Sequence, residues 1–94
     1  MPRIKWTNPA LIQLDDALAY VAQDNKRAAG KMGRRIMAAV KQLQRFPGLG
    51  RIGRAENTRE LVIVGTPYIA VYRTGEIVEI LALMHGARDW PDGF

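Results

Sequence analysis

Thr58-Arg59-Glu60-Leu61-Val62-Ile63-Val64-Gly65-Thr66-Pro67-Tyr68-Ile69-Ala70-Val71-Tyr72-Arg73-Thr74-Gly75-Glu76-Ile77-Val78-Glu79-Ile80-Leu81-Ala82-Leu83-Met84-His85 decides the fold. Three apolar runs, at about 58 to 65, 68 to 74 and 76 to 85, are separated by Gly65-Thr66-Pro67 and by Thr74-Gly75. Breaks this short join antiparallel neighbours only, so the stretch reads as a three-stranded meander. In the last run Ile77, Val78, Ile80, Leu81, Leu83 and Met84 are nearly continuous, which predicts burial on both faces and a central place in the sheet.

Upstream of the meander, Gly48, Gly50 and Gly53 alternate with Arg51 and Arg54 in a segment that predicts an extended, turn-rich loop. Before it, Ala29, Met32, Ile36, Val40 and Leu43 recur at helical spacing and predict a helix from about Lys26 to Phe46, stopped by Pro47. Leu11, Leu14, Leu18 and Val21 mark an earlier helix at about 9 to 23, entered through Asn8 as N-cap and Pro9 at the first helical position, and ended by Asp24-Asn25. With so few residues between them, the two helices must lie antiparallel. Residues 3 to 7 alternate as a short half-buried strand, with Trp6 directed to the core. The order β-α-α-β-β-β predicts an α+β fold in which a helical hairpin covers one face of a small, mainly antiparallel sheet.

Ninety-four residues make one domain, 1–94, with room for about two layers. Cysteine and serine are both absent, which removes the usual covalent nucleophiles, and Thr7, Thr58, Thr66 and Thr74 stand near strand ends or turns without a motif around them. His85 is the only histidine and the nine carboxylates show no metal-ligand spacing, so neither a metal nor another cofactor is expected. The N-terminus lacks the apolar run of a signal peptide and nothing approaches the roughly 18 apolar residues of a membrane span, so a soluble cytoplasmic protein is expected.

The net charge of +5 is unevenly spread. Lys26 to Arg59 holds ten basic residues and one acid, Glu56, a local balance of +9, against −4 for the rest. Such a block suits a phosphate-bearing or acidic partner, and its helical part has the alternative reading of a solvated helix face. At the open end of the last strand His85, Arg88 and Trp90 arrive together, a polar and aromatic group that core packing does not require. Each has an alternative reading: His85 bonded to a backbone carbonyl, Arg88 and Arg73 paired with Asp89, Glu79 or Glu76, and Trp90 lying as a lid over the core edge. Tyr20, Tyr68 and Tyr72 read as packing groups.

The chain resembles the RelE/ParE superfamily of type II toxins along essentially its whole length. The resemblance rests on Phe46-Pro47-Gly48-Leu49-Gly50-Arg51, Thr58-Arg59-Glu60-Leu61-Val62, Tyr68-Ile69-Ala70-Val71-Tyr72-Arg73 and His85-Gly86-Ala87-Arg88-Asp89-Trp90, in that order. It implies one of two activities. RelE-like members cut mRNA on the ribosome through basic side chains on the central strands, whereas ParE-like members act on DNA gyrase. The RelE-like strand Gly-Tyr-Arg-Leu-Val-Tyr carries a key Arg at its third place, where this chain has Ile69. The preceding lysines would fall on Glu60 and Val62, and only Arg88 matches a basic position.

The resemblance therefore favours a ParE-like toxin with no catalytic residues of its own. Arg51, Arg54, Arg59, Arg73, His85, Arg88 and Trp90 would contact the target. On the alternative, RelE-like reading Arg59, Arg73, His85 and Arg88 would do the acid-base and electrostatic work of an endoribonuclease. Either branch implies a cognate antitoxin of ParD or RelB type in a hetero-oligomer. Its amphipathic helix would lie between helical hairpin and sheet, on Leu11, Leu14, Met32, Ile36, Met37 and Val40, with a strand added at an exposed sheet edge.

Overall fold

The computed structural model describes residues 1–88, 90, 91, 93 and 94. Strand β1 (Arg3–Trp6) leads into helix α1 (Asn8–Ala22) and helix α2 (Lys26–Lys41), and the strands β2 (Arg51–Ile52), β3 (Arg59–Val62), β4 (Tyr68–Arg73) and β5 (Ile77–His85) follow. The sheet order is β1-β5-β4-β3-β2. β1 runs parallel to β5, and every other pairing is antiparallel. The expected α+β fold is present, with one strand more than the sequence reading gave: β2 lies within the glycine loop and pairs Arg51 with Glu60 and Ile52 with Arg59.

The β1-to-α1 corner is built on Thr7. Its backbone amide donates to the Ile80 carbonyl at 3.0 Å. Its hydroxyl donates toward the carbonyls of Ile80 at 2.9 Å and Leu81 at 3.2 Å, and accepts from the Ala10 amide at 3.4 Å. The N-cap is thus Thr7 and not Asn8, because the cap also has to satisfy β5 where its register with β4 slips between Val71 and Tyr72. Beyond Trp6 strand β1 stops covering β5, and Gln13 of α1 takes over: its Oε1 accepts from the Leu83 amide at 2.8 Å. Asn25 ends the interhelical turn and caps α2, with its Oδ1 accepting from the Ala28 amide at 2.9 Å.

α1 turns Ala10, Leu14 and Ala17 inward while Leu11 stays 42% exposed. Small residues face β5 here, which lets the helix lie close to the strand and rotates the buried stripe away from the one expected from the leucines. Gly33 serves the same purpose on α2: a methyl group there would touch the Leu18 side chain at 3.4 Å. α2 buries Ala29, Ile36 and Val40 as its spacing predicts, then tightens after Lys41 into a 3-10 turn over Gln42–Gln44 that seats Leu43.

Ile36, Val40 and Leu43 meet Leu61, Ile63, Ala70, Tyr72, Val78, Ile80 and Leu83 in the core. Trp6 is half-buried against this cluster. Because side chains alternate along a strand, Glu60, Ile69, Val71 and Ala82 point to the opposite face of the sheet. They are buried there too, with Val71 fully enclosed.

Candidate functional site

The segment after α2 is folded back onto β3 and β4 by three side chains. The Tyr72 hydroxyl donates to the Pro47 carbonyl at 2.8 Å and accepts from the Gly50 amide at 2.8 Å. Burial pushes this hydroxyl above the ordinary phenol range, while the Gly50 bond and the charge of Arg59 pull the other way. Arg59 Nη1 donates to the Gly50 carbonyl at 2.8 Å and to that of Gly48 at 3.4 Å. Gly50 is required by this closeness: a Cβ there would stand 2.8 Å from both the Glu60 carbonyl and the Tyr72 ring.

Glu60 is the third anchor, with its side chain only 2% accessible. Oε1 accepts from Arg51 Nε at 3.1 Å and Nη2 at 2.9 Å, a two-pronged contact, and Oε2 accepts from the Arg54 backbone amide at 2.8 Å. Arg54 then lays its guanidinium 3.7 Å from the centre of the Trp90 ring. The Trp90 indole N–H donates to the His85 carbonyl at 3.2 Å. Arg51, Arg54 and Trp90 are thereby brought into one assembly on the face away from the helices, around a carboxylate that the sequence reading treated only as a missing lysine. Trp90 is half-buried, held between the Arg54 guanidinium and the His85 carbonyl.

His85 and Arg88 belong to a second group. The His85 ring meets Tyr68 edge to face at 5.5 Å between centroids, and its Nδ1 accepts from the Ala87 amide at 3.2 Å. The expected bond to a backbone carbonyl is replaced by one from a backbone N–H. With Gln13, Asp16, Tyr20, Leu83 and Arg88 these residues line a cavity of 340 Å³ against α1. Tyr20 is 68% exposed at its rim, so it does not do the packing expected of it. Pairing of Arg88 with Asp89 lies outside the described residues.

Arg59 and Arg73 stand at the other end of the sheet, where both line a shallow cavity with Ile52, Asn57, Thr58 and Thr74. Arg59 is in register with Tyr72 and His85 with Tyr68, an offset of four residues along β4, or about 13 Å. Arg73 Nε donates to Glu79 Oε1 at 2.8 Å, and this hydrogen bond holds the Glu79 carboxyl below the usual carboxylate range. The four residues of the endoribonuclease alternative are therefore split between two ends of the sheet. Among the described residues no group of His, Asp and Glu is placed to hold a metal ion.

Of the six residues expected to receive an antitoxin, Leu14, Ile36 and Val40 are spent on the core, and Met32 is half-buried against it. Leu11 and Met37 remain 42% and 48% exposed. Met37 lines a groove of 420 Å³ with Ile4, Trp6, Ala38, Val40, Lys41 and Gln44, between α2 and the outer strand β1. Sequence reasoning missed Ile4, Trp6 and Gln44 as groove residues. For Ile4 and Trp6 the signal was present in the alternation of β1, which left one face of an edge strand half-covered, whereas Gln44 sits in the 3-10 turn, which has no period to read.

Comparison with known proteins finds toxins, under both ParE and RelE names. A family model described as the ParE toxin of the type II toxin–antitoxin system parDE matches residues 4–90. A Sinorhizobium fredii protein named "Putative toxin Y4kP" is 46% identical over 89 residues, covering 95% of this chain and 93% of the relative. Toxin RelE2 of Caulobacter vibrioides is 34% identical over 88 residues, covering 94% and 99%. A solved structure of the chromosomal ParDE system of P. aeruginosa superposes with a TM-score of 0.80 at 30% identity, over 90% of this chain and 96% of that one.

Proposed function

This chain belongs to the ParE toxin family of type II toxin–antitoxin systems, and we propose that it poisons by binding, with DNA gyrase in the cytoplasm as its target. The observation that carries this reading is the dispersal of its cations. RNA cleavage without a metal needs several positive groups converging on one phosphate. Here Arg51 and Arg54 are held by Glu60, Arg73 by Glu79, and Arg59 by two loop carbonyls, while His85 and Arg88 lie at the far end of β4. A surface of this kind presents shape and charge to a protein without assembling an acid, a base and a phosphate clamp. The proposed contact surface is the cavity bearing Tyr68, His85 and Arg88, together with the Arg54–Trp90 pair that meets the same strand end through the His85 carbonyl.

Purified chain added to gyrase and relaxed plasmid should block supercoiling or trap cleaved DNA, and added to a translating extract should leave mRNA intact. Site-specific mRNA cleavage that disappears in Arg88→Ala, with gyrase unaffected, would sink the proposal.

Membership of a type II system brings an antitoxin partner. The groove between α2 and β1 supports a ParD-like docking mode in which an apolar helix face covers Ile4, Trp6 and Met37, beside the outer edge of β1, which no strand pairs among the described residues. Among the described residues no helix is long and apolar enough to cross a membrane.

A further inference from the structure

α2 carries a row of cations that the gyrase reading does not use, and of them only Lys41, at its C-terminal end, borders the antitoxin groove. Arg27, Lys31, Arg34 and Lys41 fall at intervals of four, three and seven, close to one line along the helix, and all are exposed. Lys26 and Arg35 flank them, and Arg35 Nη1 reaches the Val64 carbonyl at 3.4 Å, extending the positive surface toward the sheet. Arg34 folds back over Gly30, where its Nη1 lies 3.3 Å from the place a Cβ would occupy.

Helix stability does not ask for this arrangement. Lys26 and Arg27 open the helix and no acid stands in its first turn, the reverse of what the helix dipole favours. Lys31 has like-charged neighbours at Arg27, Arg34 and Arg35, at the three- and four-residue spacings where repulsion is felt. A face that served only solubility would interleave carboxylates. Here none occurs between Asp24 and Glu56, and among the described residues no ion pair involves α2.

We propose that this face of α2 binds the phosphodiester backbone of duplex nucleic acid without reading sequence. The row from Arg27 to Lys41 is about 21 Å long, enough to follow several phosphates of a duplex. α2 contains no aromatic residue, so it offers no platform for the stacked bases of a single strand. A protein partner fits less well, because protein interfaces are built on apolar and aromatic anchors and are poor in lysine, whereas the exposed positions from 26 to 35 are all Lys or Arg. The proposal is independent of the cellular target: a phosphate-binding face serves a gyrase poison and a ribosome poison alike.

The test is fluorescence anisotropy of the full chain, titrated into labelled duplex DNA and duplex RNA of equal length, about 20 base pairs, across about 50 to 200 mM salt. Weak binding is expected, with Kd of about 10⁻⁴ to 10⁻⁶ M and a log–log salt slope near −3. The triple variant Arg27→Gln/Lys31→Gln/Arg34→Gln should lose most of that slope and at least about tenfold in affinity, while melting no lower than the parent. The single-charge control Arg3→Gln should stay within about twofold. Should the triple variant fail to fold, Lys31→Gln and Arg34→Gln taken singly should each remove about one unit of slope. Tighter binding to RNA than to DNA keeps the phosphate reading and names its source. Absence of binding to both duplexes at low salt, an unchanged slope in the variants, or a loss confined to antitoxin affinity would each overturn it.

Discussion

Glu60 and Arg51 face each other across β3 and β2, with Oε1 and Nη2 2.9 Å apart, although the carboxylate is 2% accessible and the guanidinium 54%. The acid is the fixed member, and the base is drawn to it. Glu60 also accepts from the Arg54 amide, so its removal leaves a backbone donor and two guanidinium groups without their shared acceptor. Glu60→Ala should cost about 3 kcal/mol in denaturant unfolding, and Glu60→Gln, which keeps one acceptor oxygen, clearly less. An alanine variant within about 0.5 kcal/mol of the parent would show that the carboxylate does not organise the loop.

Tyr72 should make stability fall at alkaline pH. Its folded-state pKa lies above the ordinary phenol value of about 10, chiefly through burial, so the neutral hydroxyl is the form the fold prefers. The contribution is then complete below that ordinary value and is lost as pH rises through the folded one. Tyr72→Phe removes the bonds to Pro47 and Gly50 and should cost about 1 to 3 kcal/mol at neutral pH. It should also flatten part of the alkaline decline. Parallel stability curves for parent and variant above pH 10 would count against this assignment.

Glu79 gives the opposite sign on a smaller scale. Its carboxyl is held low by the Arg73 hydrogen bond, so the contribution is present above the unfolded-state pKa and is lost as pH falls through the folded value. The pair is solvent-exposed and its effect on global stability should be near zero. Carboxyl-detected titration should place Glu79 below an ordinary glutamate, and Arg73→Ala should return it there. No movement between the two titrations would mean that the contact is not kept in solution.

The order of elements and the central place of the last strand were legible because hydrophobic period and turn residues are local signals. Ile77 to His85 carries its burial in its own composition, and Ala29, Ile36, Val40 and Leu43 in their spacing. The roles of Glu60, Tyr72 and Thr7 were not legible in the same way. Each acts on a segment outside its own element, the loop at 47 to 54 or the carbonyls of β5, and which residues meet there is set by strand register. β2 was hidden for a related reason: two residues among glycines have no period, and only their pairing with Arg59 and Glu60 makes them a strand. Leu11 was placed on the apolar stripe by its spacing with Leu14, Leu18 and Val21, whereas close packing on β5 selected Ala10 and Ala17.

The same distinction decides which α2 residues can be tested as an antitoxin contact. Ile36 is fully buried, so Ile36→Ala should destabilise the chain by about 2 to 5 kcal/mol whatever the partner does, and any loss of antitoxin binding would follow from the fold. Met37 is 48% exposed on the groove side and contributes little to the core. Met37→Glu should therefore leave the melting temperature within a few degrees of the parent while weakening the antitoxin by about tenfold or more, because an apolar helix face would then have to bury a carboxylate. Calorimetric titration with the antitoxin's C-terminal segment separates the two effects. If Met37→Glu binds as tightly as the parent, the helix does not enter the α2–β1 groove, and the contact must be sought along the open edge of β1 instead.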